Sequence, residues 1–147
     1  MANMTLSEIK AFRDFCGNLI SAPEWRDCLE NILNGETDFE VNNVRFIADS
    51  VIDETLADEL ESDRYILGCF NAEAISEATN WPAVLIKAAQ KCEAFEEIGE
   101  AMTRYQIERL AEIYSSADGY WHHFNGYDFG EEEIEINGET YHVFDNH

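Results

Sequence analysis

Asn137-Gly138 lies between two runs in which polar and apolar residues alternate, and that pattern commits residues 128–145 to a β-hairpin. A two-residue turn fixes the register. Ile136 faces Glu139, Ile134 faces Tyr141 and Glu132 faces Val143. On the other side Glu135 faces Thr140, Glu133 faces His142 and Glu131 faces Phe144. Side chains alternate across a strand, so Ile134, Ile136, Tyr141 and Val143 form one apolar face. Glu131, Glu133 and Glu135 line the other. Carboxylates on one face of a strand repeat every ~6.8 Å, twice the strand rise. A duplex shows one phosphate per strand every ~3.4 Å along its axis.

The rest of the chain reads as helical. Thr5-Leu6-Ser7-Glu8 is a capping box ahead of Ile9, Phe12, Phe15, Cys16, Leu19 and Ile20, which recur at helical spacing. Ser21-Ala22-Pro23-Glu24 is a second box, and Asn34-Gly35 closes the helix it opens. Residues 39–47 hold one or two short strands, with a tight turn at Asn42-Asn43 because Asn tolerates positive φ. Asp49 or Ser50 caps a helix through Glu61, with Ile52, Leu56 and Leu60 inward and Asp53, Glu54, Asp58 and Glu61 outward. Residues 65–70 read as a buried strand or connector. Asn71 caps a short helix to Thr79. The longest helical stretch is expected from Trp81-Pro82 to Met102 and on towards Tyr114, with Leu85, Ala88, Ala89, Cys92, Phe95 and Ile98 on its inner face and a kink at Gly99 or Thr103.

The expected fold class is therefore α+β: a mostly helical domain with a small antiparallel sheet that includes the C-terminal hairpin. Residues 1–147 are read as a single domain, helical over 1–117, with a hairpin element at 120–145.

Charge bounds the function. Asp and Glu number 31 against 9 Lys and Arg, a net charge of −22. Solubility needs only about 2–8 charges on a small domain, and excess like charge destabilises the compact state. The hydrophobic fraction of 46% still supports a packed core. The acids are dispersed, with two excesses. Residues 51–75 hold 7 acids and 1 base, and residues 117–147 hold 8 acids and no base. No run reaches the ~18 apolar residues of a membrane span, and anionic headgroups repel such a surface. With no basic-then-apolar leader, the expected location is the cytoplasm. The four cysteines, Cys16, Cys28, Cys69 and Cys92, lack metal-ligand spacing and read as reduced core thiols.

No phosphate-binding glycine loop, nucleophile elbow, zinc motif or calcium loop is present. His122 and His123 are adjacent and diverge on most backbones, so no metal or cofactor is expected, and the chain reads as a non-enzyme. Tyr120, Trp121, Phe124, Tyr127 and Phe129 form an aromatic cluster that packs the hairpin onto the helices or, in the alternative, anchors a partner.

Small size, high negative charge, dispersed acids and no catalytic motif together resemble, as a class, the acidic anti-defence proteins of phages and mobile elements. That resemblance implies an anti-CRISPR or antirestriction role. The protein would be a DNA mimic whose carboxylates occupy the basic nucleic-acid groove of a CRISPR effector or restriction enzyme, without binding nucleic acid itself. The candidate contacts are Asp53, Glu54, Asp58, Glu61, Glu131, Glu132, Glu133 and Glu135. A homodimer is compatible with this reading. The alternative is an acidic adaptor or inhibitor that acts through the aromatic patch.

Overall fold

The computed structural model describes residues 5–16, 22–124 and 132–146. The fold is α+β, with a four-stranded antiparallel sheet and the expected C-terminal hairpin. The chain divides into two compact units: residues 1–52 with 120–147, and residues 53–119.

The first unit is built on the sheet. Strands β1 (Asp38–Val41), β2 (Val44–Ala48), β3 (Glu132–Ile136) and β4 (Glu139–Asp145) take the order β1-β2-β4-β3. Both hairpins turn through two residues with positive φ, Asn42 at 49° and Asn43 at 64° in one, Asn137 at 57° and Gly138 at 80° in the other. This is the backbone that matches the right-handed twist of the flanking strands. The register of β3 on β4 is the one the turn predicts, from Glu132 opposite Val143 to Ile136 opposite Glu139. The pairing of β2 with β4, from Val44 opposite Asp145 to Ala48 opposite Tyr141, joins the two ends of the chain.

Helices α1 (Leu6–Cys16) and α2 (Ala22–Leu33) belong to the core on one face of the sheet. Phe12, Cys16, Cys28 and Ile32 meet Val44, Phe46, Ala48, Ile136, Tyr141 and Val143 there. Phe46 stacks on Phe39 with ring centroids 4.9 Å apart. The Thr5 hydroxyl accepts from the Glu8 amide at 3.1 Å, which caps α1. The Glu8 carboxylate then accepts from the Asn137 amide at 3.1 Å, so the cap also holds the β3–β4 turn. The Ser21 box lies outside the described residues.

The opposite face of the sheet is also covered at its centre. Ile47, His142 and Phe144 are buried, and Phe144 packs on Phe124 of α9 (Trp121–Phe124) at 5.2 Å. The hairpin was expected to bury one face only. Strand β4 buries both, from Tyr141 to Phe144, because it is an inner strand of the sheet and not one arm of an isolated ribbon.

Helix α3 (Asp49–Glu61) crosses the division between the units and has Ile52, Leu56 and Leu60 buried, as expected. The second unit continues with α4 (Arg64–Gly68), α5 (Ala72–Thr79), α6 (Ala83–Lys91), α7 (Phe95–Glu100) and α8 (Arg104–Asp118). Three expectations are corrected here. Residues 65–70 are not a strand: the Asp63 side chain accepts from the Ile66 amide and starts α4. Gly68 is there for close packing, since a Cβ would collide with the backbone carbonyl of Phe95, and a Cβ at Gly99 would collide with that of Arg64. The stretch from 81 to 114 is three helices and not one. Glu93 at φ 60° ends the first, and a Thr103–Gln106 capping box opens the last, while Gly99 lies inside α7.

The third correction concerns what faces inward. Of the residues expected on the inner face, Leu85, Ala88 and Cys92 are exposed, and Cys69 is exposed as well. Ile98 is buried as expected, and the core of this unit is completed by Leu67, Ile75, Ile86, Ile107 and Leu110. Among the described residues, no helix is long and apolar enough to cross a membrane.

Candidate functional site

The face of the sheet turned away from α1 and α2 brings together four acids of the first unit. The pairing places Asp38 beside Ile47, Ile47 beside His142, and His142 beside Glu133. The next row on that face runs Glu40, Arg45, Phe144. Directly paired residues share a face, so both edge strands direct carboxylates to the same side: Asp38 and Glu40 from β1, Glu133 and Glu135 from β3. All four are exposed. Four strands at ~4.8 Å spacing put the two edges roughly 14 Å apart, close to the ~12 Å width of the DNA major groove.

The residues between the edges stiffen this frame. Arg45 donates to both oxygens of Asp38, Nε at 2.9 Å and Nη2 at 2.7 Å, and its guanidinium lies 5.0 Å from the Phe124 ring. His142 is only 3% exposed. Its Nε2 is 2.8 Å from Asp49 Oδ1 and its Nδ1 is 3.6 Å from Glu133 Oε1, with Tyr120 edge-on at 5.3 Å. The imidazole thus ties down the start of α3 through Asp49, with Glu133 a neighbour of the ring beyond hydrogen-bond distance. Glu139 accepts from the Ser50 amide at 3.3 Å, a second tie to the same helix start.

The eight sequence-predicted contacts separate in the structure. Glu133 and Glu135 share the acidic face. Glu132 is exposed at the end of β3, on the face that also carries Ile134 and Ile136. Glu131 lies outside the described residues. Asp53, Glu54, Asp58 and Glu61 are on α3, where Asp53, Glu54 and Asp58 are exposed. Asp58 and Glu61 are not unrelieved acids, because Arg104 of α8 reaches both, at 2.8 and 3.1 Å, and also reaches Glu108 at 3.3 Å. Three carboxylates, Glu61 first, push the guanidinium further above its ordinary range. Sequence reasoning missed Arg104, Asp38, Glu40 and the Asp49–His142 pair. The Arg104–Glu108 spacing of i,i+4 was visible, but the contact to α3 depends on the tertiary fold.

Elsewhere in the first unit, a groove of about 550 Å³ on α1 and α2 is lined by Leu6, Ile9, Lys10, Arg13, Trp25 and Arg26. The same two helices carry Glu8, Asp14, Glu24, Asp27 and Glu30, so they are not net basic. The buried thiols of Cys16 and Cys28 are pushed up to about 12, by desolvation first. A thiol held protonated is a poor nucleophile and a poor metal ligand. Among the described residues, no cluster of three or more His, Cys, Asp or Glu could hold a metal ion. Of the aromatic cluster, Phe124 is spent on packing against Phe144 and Arg45. Tyr127 and Phe129 lie outside the described residues.

No protein-family model, curated protein or solved structure matches this chain.

Proposed function

We propose that this chain is an acidic mimic of nucleic acid. It would act as a non-enzymatic inhibitor in the cytoplasm, with no cofactor, by entering the basic nucleic-acid groove of a bacterial defence complex such as a CRISPR effector or restriction enzyme. The observation that carries the reading is the pair of carboxylate rows on opposite edges of one sheet: Asp38 and Glu40 on β1, Glu133 and Glu135 on β3. Lysines and arginines that evolved to release counterions from phosphates would meet fixed carboxylates at comparable lateral separation. The centre of the face, held by Arg45, His142 and Phe144, keeps those rows from collapsing on each other.

The test is displacement. The immobilised chain should retain basic nucleic-acid-binding proteins from a bacterial lysate. Excess duplex DNA should release them, as should a rise in salt from ~0.1 to ~0.5 M, since the binding depends on charge. Proteins that stay bound through the salt step and are not displaced by DNA would overturn the mimic. That outcome would favour the adaptor reading, in which apolar contacts anchor the partner.

A further inference from the structure

Strand β3 is an edge of the sheet, and the direction of its free backbone groups follows from the pairing. Opposed residues in an antiparallel pair alternate between bonded and non-bonded. The Asn146 amide donates to the Asn43 carbonyl at 2.8 Å, which sets the phase. Phe144 and His142 therefore bond to β2, and Val143 and Tyr141 bond to Glu132 and Ile134 of β3. The two-residue turn sets the same phase through Ile136 and Glu139. The N–H and C=O groups of Glu133 and Glu135 are left pointing away from the sheet. Among the described residues, none makes a hydrogen bond to them. Such a row of unpaired groups is a template for a further strand.

Charge decides which strand. An incoming antiparallel strand sets its own side chains directly across from Glu133 and Glu135, on the acidic face. A second copy of β3 would set Glu133 against Glu135 and Glu135 against Glu133, and like charges directly opposed are destabilising. A Lys or Arg at both positions meets two exposed carboxylates that no Lys or Arg of this chain reaches among the described residues. The residue between them falls opposite Ile134, which is half-buried on the helix side of the sheet. An apolar side chain suits that place. The other edge offers less. The Ala48 amide donates to the Thr37 carbonyl, so Asp38 and Glu40 point outward from β1 in the same way, but β1 has four residues and Arg45 already holds Asp38.

We propose that β3 is a docking edge for an extended basic segment of a partner protein, with Lys or Arg alternating with apolar residues, which adds to the sheet as a fifth, antiparallel strand. Backbone bonds supply attachment. Glu133 and Glu135 supply selection, refusing acidic strands and the chain's own copies while admitting a basic one. The contact is made to a polypeptide backbone at the sheet edge, so it does not depend on mimicry of nucleic acid across the sheet face.

Fluorescence anisotropy with labelled peptides tests this on the full chain. A peptide of alternating Arg and Val should bind at least ~10-fold more tightly than one of the same composition with its Arg and Val in separate blocks, because only the first can pair and match charge together. In the added strand the Arg residues turn their amides toward β3 and the Val residues turn theirs away. N-methylation of two Arg amides should therefore weaken binding about 10-fold or more, while N-methylation of two Val amides should leave it nearly unchanged. Hydrogen exchange at the amides of Glu133 and Glu135 should slow when the alternating peptide binds, and exchange at Asp38 and Glu40 should not. Glu135→Pro, which removes an outward N–H and no bond of the sheet, should weaken binding well beyond Glu135→Gln, which removes only the charge. No binding at ~1 mM peptide overturns the proposal. So does equal binding of the alternating and block peptides, an equal effect of methylation at either set of amides, or protection gained at β1 and not at β3. No nucleic-acid-binding protein takes part in these measurements, so this inference and the mimic fail separately.

Discussion

The two units handle negative charge differently. In the sheet unit the inner strands β2 and β4 are covered on both faces, and the carboxylates are displaced to the edge strands. In the helical unit the acids are spread over outer helix faces, and the unit's own cations tie several of them down: Arg104 holds Asp58, Glu61 and Glu108, and Lys87 holds Glu73. An acid engaged by its own chain is part of the scaffold, and in the sheet unit that holds for Asp38, which Arg45 ties down, but not for Glu40 and Glu135. An acid at a sheet edge, aimed outward from a rigid frame, can answer another molecule's cations. Under the proposed mimicry the partner-facing surface would belong to the sheet unit, while Asp58 and Glu61 serve to join α3 to α8.

Four measurements can break or sharpen that contrast. The largest effect is expected in the helical unit, at the α4–α7 crossing. Gly68→Ala forces a Cβ into the Phe95 carbonyl and should cost about 3 kcal/mol or more, read by urea denaturation, because backbone cannot yield as a side chain can. A cost under about 1 kcal/mol would show the crossing to be looser than described.

Next is the sheet rim. Reversing Glu40, Glu133 and Glu135 together to Lys should weaken target binding by about 100-fold or more, equal to about 2.7 kcal/mol, with the fold retained. Reversing Asp53 and Glu54 should cost less than about 10-fold. If the α3 pair proves the more sensitive, the division of labour between the units is the reverse of the one argued here.

Smaller again is Arg104→Met. The side chain is about a third exposed, so solvent screens its three ion pairs, and the loss should be about 1 kcal/mol. The fall should shrink as salt is raised. Target affinity should hold or rise slightly, since three carboxylates lose their cation.

The last measurement compares the cysteines. Iodoacetamide on the native protein should modify Cys69 and Cys92 of the helical unit and spare Cys16 and Cys28 of the sheet unit. The buried thiols also set a pH dependence. Their folded-state values, about 12, lie above the ordinary 9.0, so the unfolded chain loses these protons first. Stability from this source is fully present below pH 9, falls as pH rises from about 9 to about 12, and should fall less in Cys16→Ala. Tyr141 titrates in the same direction, raised by burial and then by Glu139.

What could be read from the residues depended on sequence distance. The β3–β4 register was legible because Asn137-Gly138 leaves only one way to pair the flanking runs. The Asn42-Asn43 turn and the caps at Thr5 and Asn71 were legible for the same local reason. The β2–β4 pairing was not, since nothing near residue 45 announces a partner near residue 144. That pairing is what brings Asp38 and Glu40 to the same face as Glu133 and Glu135, so half of the candidate site was invisible. Leu85 and Cys92 misled in the opposite way. Their spacing is that of a buried face, and periodicity alone does not say that a cover exists. The role of Gly68 was not legible because it is set by Phe95, a residue on another helix.

The order of the two units along the chain has a consequence for synthesis. The sheet unit is interrupted: β1 and β2 emerge early, and the whole helical unit follows before β4 can pair with β2. Residues 53–119 form one continuous compact unit and can fold while translation continues. Until β4 leaves the ribosome, β2 keeps an open edge and the two carboxylate rows have no common frame. The two carboxylate rows therefore come to share one face all at once, when β4 emerges, and a chain cut short before β4 would carry nearly all of the charge and none of its arrangement.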